Sequence, residues 1–564
     1  MRKLLPLILA LVCLTLPAAA QDDDRSLIVG FLEDNLSDAG RDIRLEGFEG
    51  ALSSQATLDR LTIGDADGIW LELEKAELAW TRSALLRGRL EIERLAAEAI
   101  TLHRLPGGDQ LSPDDTEARE FNLPDLPVSI NIGKLELKAV SIGEPVFGDA
   151  AEYQIEGSMA LSGGEGTAKL AIERRDEPAE LTLETSFDNS SRQLNIDLAL
   201  SEAKNGLLSR VIGLPGQPAI AFSLTGRGPL DDFSADLALA SDGADRLTGT
   251  IRTSLNSEAE ARQFGADLSG DLRPLFQPDL RPFFGQSTAL TLLTTREGDG
   301  ALSVSRFSLE SAAMSLRGDA QIAASGRPER VSIQGQLGGG DEATRLPLSG
   351  PPTQLQSAQL NVSYDQAEGE AWQADIVVER LQNGPLVVEQ TEFTARGTLS
   401  REAPLALDAN LSMALSGLSH KDENLARTLG SRANAKARLS WREGQPLSIL
   451  ALSAEAGDVS LTGAGQIGNN DASVFPVSAT LRLDAPRLER FAPLADIPLT
   501  GAAGMTVIGN ADLLTGAFDG AVFAETTDLG LGNSMLDPLI AGDGRLRLSA
   551  LRDANGLAFD RLDL

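Results

Sequence analysis

Two stretches carry residue types whose spacing could do chemistry. Asp65-Ala66-Asp67-Gly68 resembles the opening of a calcium loop, where alternating acidic side chains and a closing bidentate glutamate surround the ion. The third acidic ligand is missing, and Ala76 stands where the glutamate belongs. An Asp-Gly hairpin turn is the simpler reading. Gly463-Ala464-Gly465-Gln466-Ile467-Gly468 matches GxGxxG, which cradles a phosphate when it joins a strand to a helix. No helical pattern follows it here, and the related stretch Gly318–Ala323 keeps only the first glycine. The two histidines, His103 and His420, are far apart in sequence and read as surface or turn residues. No GxSxG or HExxH occurs, and with 82 acidic residues pairs of carboxylates arise by chance. The sequence predicts no catalytic residue, no cofactor and no metal.

The elements that would position such residues form a pattern of their own. Leu302–Ile322, LSVSRFSLESAAMSLRGDAQI, recurs as Leu447–Ile467, LSILALSAEAGDVSLTGAGQI, offset by 145 residues without a gap. Leu302, Ser303, Ser308, Glu310, Ser315, Leu316, Gly318, Gln321 and Ile322 meet the same residue in the second copy. Elsewhere apolar character is kept: Val304 becomes Ile449, Phe307 becomes Leu452 and Met314 becomes Val459. Each copy reads as strand, turn, strand, with apolar residues at the two-residue period of a half-buried strand. A unit with one apolar face cannot bury it alone, so such units stack.

Composition narrows the function. The net charge is −33 without a basic run, which excludes a nucleic-acid binder. Aromatic residues make up 4%, too few for stacking bases or sugar rings. Met1–Ala20 has a basic start (Arg2, Lys3), a short apolar core and a small-residue end, the pattern of a secretory signal peptide. The single cysteine, Cys13, lies inside it, so the mature chain has no disulfide or thiolate ligand. Leu27, Ile28, Phe31, Leu32 and Leu36 share one face of a predicted helix over Arg25–Ala39. Its polar face carries Glu33, Asp34 and Asp38, which suits a cap on the first strands better than a membrane anchor.

Strand patterns then run almost unbroken, interrupted by a polar linker at Leu105–Leu123 and by short helical or looped insertions at Ser83–Arg87, Asn205–Ile212, Leu272–Phe284, Asn424–Leu429 and Arg487–Leu494. These helices are too few to cover the apolar face of so many strands. The expected fold is all-β: an elongated, repetitive sheet folded into a trough or solenoid, apolar inside, with a short N-terminal helix. Its expected parts are the signal peptide (1–20), the N-terminal helix with cap strands (21–110) and the repetitive array (111–564). Roughly 35 to 40 strands at about 4.8 Å each give a length of about 170–190 Å.

The order of signal, short helix, then Gly47–Pro106 (GFEGALSSQATLDRLTIGDADGIWLELEKAELAWTRSALLRGRLEIERLAAEAITLHRLP) and Leu126–Gly148 (LPVSINIGKLELKAVSIGEPVFG) resembles the TamB family of the AsmA-like bridge proteins. Leu531–Asp553 (LGNSMLDPLIAGDGRLRLSALRD) has the same flavour. The resemblance implies an aliphatic β-trough in the Gram-negative cell envelope. It would reach from the inner membrane across the periplasm to a TamA-like outer-membrane barrel, and serve outer-membrane protein assembly and phospholipid movement. Family members keep the N-terminal segment as an anchor, whereas this leader reads as cleavable. They also close with a C-terminal β domain, whereas Asn555–Leu564 stops in strand pattern, so a truncated chain is expected.

The leading expectation is a non-enzymatic bridge that shields phospholipid acyl chains in an apolar groove. The expected lining is Val304, Phe307, Leu309, Met314, Leu316 and Ile322 in one copy, and Ile449, Leu452, Val459, Leu461 and Ile467 in the other. The alternative is a scaffold that templates strands of nascent outer-membrane proteins by β-augmentation. A β-helical enzyme acting on polysaccharide would need the aromatic platforms this chain lacks.

Overall fold

The computed structural model describes residues 42–50, 53–65, 67–106, 122–124, 128–256, 260–348, 350–468, 475–553 and 556–563. The expected leader and the helix over Arg25–Ala39 lie outside the described residues. Among those described, 32 strands are joined by turns and a few short helices. Several are long single strands of 13 or 14 residues, such as Gly68–Trp80 and Leu386–Leu399. The chain forms two compact units, one ending at Arg252 and one starting at Thr253. Each is a repetitive sheet, so the all-β class holds.

Local chemistry fixes the hairpins. Gly163 and Gly164 (φ 56° and 81°) and Asp242 and Gly243 (φ 50° and 77°) both place two left-handed residues at a two-residue turn. That conformation matches the twist of the flanking strands. In the first unit Asp42–Glu46, Gln55–Asp65, Gly68–Trp80 and Arg89–Leu102 pair antiparallel in order. Arg89–Leu102 then pairs in parallel with Ser129–Ile142. A parallel pair needs a crossover in place of a hairpin, and the polar stretch Leu105–Leu123 lies in that connection. The strands on either side of this stretch therefore belong to one sheet. Antiparallel pairing resumes through Ala151–Ser162, Glu165–Arg174, Ala179–Asp188, Gln193–Glu202, Ile220–Pro229 and Asp232–Ser241.

The second unit pairs antiparallel from Ala261–Gly270 to Gly556–Asp563. The sequence repeat is reproduced in register. Leu302 faces Ile322 and Leu447 faces Ile467; a bulge falls between Val304 and Phe307 and again between Ile449 and Leu452. The correspondence reaches further than residue identity does. Arg262 pairs with Arg296 and Gly270 with Thr288, while Leu407, 145 residues on, pairs with Trp441 and Leu415 with Ala433. Ala261–Ile322 and Ala406–Ile467 are thus one four-strand structure built twice.

Chain order shows the same plan from Ser129 onward. A strand is followed by an insert, and three further strands follow with tight turns between them. First strands start at Ser129, Gln193, Ala261, Pro328, Ala406 and Pro476, so successive repeats begin 64 to 78 residues apart. The inserts carry the helices Glu144–Phe147, Leu207–Val211, Arg281–Phe284 and Glu423–Leu429, the small strands Thr344–Arg345 and Thr353–Leu355, and the turns Leu488–Phe491 and Ala492–Ala495. The last repeat has a second helix, Asp537–Ile540. Glu144–Phe147 and Asp537–Ile540 were not anticipated from sequence; each starts beside a proline and spans four residues, too short for a periodic signal.

Candidate functional site

Residues directly opposite one another in a ladder share a face, so register identifies the surface that a sheet presents. In the second unit one row can be followed across sixteen strands: Leu268, Leu290, Leu309, Leu316, Gly335, Leu360, Ile376, Phe393, Met413, Ala435, Ala454, Leu461, Leu483, Met505, Ala524, Leu546. No polar side chain interrupts it. The row two residues away, from Ala266 through Phe307, Ile333, Leu411, Leu452 and Val507 to Leu562, is equally apolar. A third, from Phe264 to Phe559, contains one polar residue, Thr294. The intervening row faces the other way and reads Asp267, Thr291, Ser308, Arg317, Gln334, Asn361, Asp375, Thr394, Ser412, Lys436, Ser453, Thr462, Arg482, Thr506, Phe523, Arg547. Its one aromatic ring lies under Arg547, 5.0 Å from the guanidinium.

The first unit is built the same way. Ala56, Leu78, Leu95, Leu135, Gly157, Leu170, Leu183, Leu198, Leu224 and Leu237 form a row across ten strands, and it continues through the parallel pair without a break.

All eleven residues expected to line a groove lie on the apolar face of the second unit. Leu309, Leu316 and Leu461 are in the central row, Phe307 and Leu452 in the second, and Val304 and Ile449 in the third. Met314 and Val459 sit at the end that carries the inserts, Ile322 and Ile467 at the opposite end. Every one of them is half-buried. The strands contact their hydrogen-bonded neighbours extensively and no second layer of strands in the same way. Large buried residues belong mostly to the inserts and strand ends, as Phe283, Leu355 and Leu488 show. Leu268, Leu290, Leu360, Ile376, Phe393, Met413, Leu483, Met505 and Leu546 are the other large side chains of the central row and were not singled out from sequence. Alternation was the available signal, and it does not reveal which residues become neighbours.

The inserts connect repeats along one end of the strands. Arg345 pairs with Asp279, and Ser419-His420 adds a short ladder to Val387-Leu386. At the next junction Arg490 is the centre. Its Nη1 donates to the Ala456 carbonyl (2.9 Å) and to Asp458 Oδ1 (2.8 Å), and its Nε donates to the Thr428 carbonyl. Arg487 and Arg490 together hold the Asp458 carboxyl below the usual range. On the polar face Arg317 does the same for Glu310.

The stretches weighed for chemistry have structural uses. Arg104 pairs with Asp65, and Asp65 Oδ1 accepts the Asp67 N–H (2.9 Å), so the acidic stretch is a braced turn. Gly463 and Gly465 lie within the strand Val459–Ile467, where an added Cβ would press on the Thr480 and Ser478 carbonyls. His103 stands 3.7 Å from Glu72, because antiparallel pairing sets the end of Arg89–Leu102 against the start of Gly68–Trp80. His420 Nδ1 accepts the N–H of Asp422, which caps Glu423–Leu429. A surface hollow of about 580 Å³ lies on the polar side among Glu392, Ala414, Asn434 and Glu455, and no convergent chemistry lines it. No cluster of potential metal ligands occurs among the described residues. No described helix is long and apolar enough to cross a membrane.

Comparison with protein-family models, with curated proteins and with solved structures gave no match.

Proposed function

We propose that this chain is a non-enzymatic lipid-shielding bridge of the bacterial envelope, with the apolar rows as the surface that keeps acyl chains from water. One observation carries the reading: an apolar row sixteen residues long, none of it fully buried, backed by a polar face. Covering apolar area contributes about 25 cal/mol per Å², or about 0.8 kcal/mol per methylene. Successive Leu, Ile, Met and Ala positions along the row offer similar contacts. A chain sliding from one strand to the next trades equal burial, so its path is nearly level in energy and needs no catalytic group. The leader-like Met1–Ala20 and the resemblance to TamB support a place in the periplasm. On the same resemblance the route joins the inner membrane to a TamA-like outer-membrane barrel.

The test is lipid extraction of the purified chain followed by mass spectrometry. Wild type retains stoichiometric phospholipid, whereas Leu316→Glu, which puts a charge in the central row, loses most of it while its circular dichroism is kept. A lipid-free wild type, or a Leu316→Glu variant with undiminished lipid, overturns the reading.

A further inference from the structure

Alternate repeats of the second unit share details that adjacent ones do not. The sequence offset carries the repeat starting at Ala261 onto the one starting at Ala406, and so steps over the repeat starting at Pro328. Local geometry alternates in the same way. In the repeats starting at Ala261 and Ala406, the turn between the second and third strands has a bond over three residues: Gly300 N–H donates to the Glu297 carbonyl, and Gln445 N–H to the Arg442 carbonyl. In the repeats starting at Pro328 and Pro476 the same turn includes a bond over four residues: Gly369 N–H donates to the Asp365 carbonyl, and Gly516 N–H to the Asp512 carbonyl. Asp365 and Asp512 each accept a further N–H two residues on, from Ala367 and Leu514 (2.9 Å in both). Between the third and fourth strands the first kind of repeat carries a bulge, and the second kind pairs without one. The third strand of the second kind instead holds a non-glycine residue at positive φ, Arg380 (47°) and Asp528 (50°). Such backbone costs energy unless the surrounding structure holds it.

The joints alternate as well, and here the first unit takes part. The insert of every second repeat holds an arginine that reaches back to the repeat before it. Arg210 Nη2 meets Asp149 in the preceding insert (2.6 Å), and its Nη1 meets Glu177 (3.3 Å). Arg345 meets Asp279 in the preceding insert. Arg490 donates to the Thr428 carbonyl in the preceding insert and to Asp458 (2.8 Å). Glu177 and Asp458 occupy matching turns, between the third and fourth strands of their repeats. The other inserts use their arginines internally: Arg273 bonds Asp271, Arg281 the Phe276 carbonyl and Arg427 Glu423. The insert of the repeat starting at Ala406 reaches back through backbone instead, with Ser419-His420 laddered on Val387-Leu386.

We propose that the module of this chain is a pair of repeats, closed by an arginine from the second insert. The pairs start at Ser129 and Gln193, at Ala261 and Pro328, and at Ala406 and Pro476. A repeat is then gained or lost without an open joint only together with its partner. Each pair supplies eight long strands, about 38 Å of sheet at about 4.8 Å per strand. The module stands apart from the lipid-shielding reading; under that reading it is the step by which the shielded path lengthens.

Three deletions in the otherwise complete chain test this by urea unfolding. Removing residues 261–405 takes out one whole pair of 145 residues and leaves Arg210 and Arg490 with their partners. This variant unfolds at the wild-type urea concentration. Removing residues 328–405 leaves Asp279 without Arg345, and removing residues 406–475 leaves Arg490 without Thr428 and Asp458. Each of these unfolds at lower urea, with an added early step. In the complete chain, Arg210→Ala speeds amide exchange about fivefold in both repeats of its pair, between residues 129 and 241, and leaves residues 261–553 unchanged. Single-repeat deletions at least as stable as the paired deletion overturn the proposal. So does an Arg210→Ala map that is unchanged, or changed only within the repeat starting at Gln193. Where no deletion folds, that map decides by itself.

Discussion

Replacing Arg490 by alanine should open the joint between the repeats that start at Ala406 and Pro476. The guanidinium bonds the carbonyls of Thr428 and Ala456 and the carboxylate of Asp458, with its side chain 14% exposed. Hydrogen bonds to a charged group contribute about 1.5–3 kcal/mol each when buried. Asp458 is 19% exposed and keeps Arg487, so its share is small. The two carbonyls dominate, and the expected cost is about 2–4 kcal/mol. Because repeats are coupled mainly to their neighbours, the loss should be local. In hydrogen exchange, Pro476–Asp553 should lose protection while Ala261–Leu399 keeps it, and urea unfolding should gain an early step. Gly457→Ala puts a Cβ against Arg490 Nη1 and adds the strain of a left-handed residue (φ 67°), so its cost should exceed that of Arg490→Ala. Uniform loss of protection across the unit, or a cost below about 0.5 kcal/mol for both variants, would refute a joint built on Arg490.

Further outcomes follow from the same geometry. The Asp458 carboxyl is held low by Arg487 and Arg490. Its contribution is therefore complete above the ordinary carboxylate range and is lost as pH falls through the lowered value; acid should loosen the Pro476 repeat first in pH-resolved exchange. Asp188, held to about 2 by the hydroxyls of Ser191 and Ser190 and the Ser190 N–H, should keep the turn before Gln193 closed to still lower pH, which an NMR titration of Ser190 and Ser191 can read. Gly397→Ala places a Cβ against the Asp408 carbonyl and the Trp372 ring, and should destabilise the chain by about 1–3 kcal/mol in urea. Calcium should leave the melting temperature unchanged, since Arg104 already occupies Asp65.

The residues that make the apolar face were legible because alternation is a local property. Leu316 and Leu461 declare their side of the strand through their immediate neighbours, and the 145-residue offset aligned them. Register was less legible. Leu407 and Trp441 reproduce the pairing of Arg262 and Arg296 with no residue type in common, because a half-exposed strand end tolerates either kind of side chain. The parallel pair Arg89–Leu102 and Ser129–Ile142 was hidden for another reason: a two-residue period is the same for both strand directions. Arg490 could not be found at all, since its partners Asp458 and Thr428 lie 32 and 62 residues away in a different repeat.

The central claim concerns which side of the sheet meets lipid. A photo-reactive residue placed in turn at Leu309, Leu316 and Leu461 on the apolar face, and at Ser308, Arg317 and Thr462 on the polar face, tests it in cells. Phospholipid adducts at the first three positions and none at the last three are the predicted result. Equal labelling of both faces, or capture of outer-membrane protein precursors in place of lipid at Leu316 and Leu461, would contradict the account.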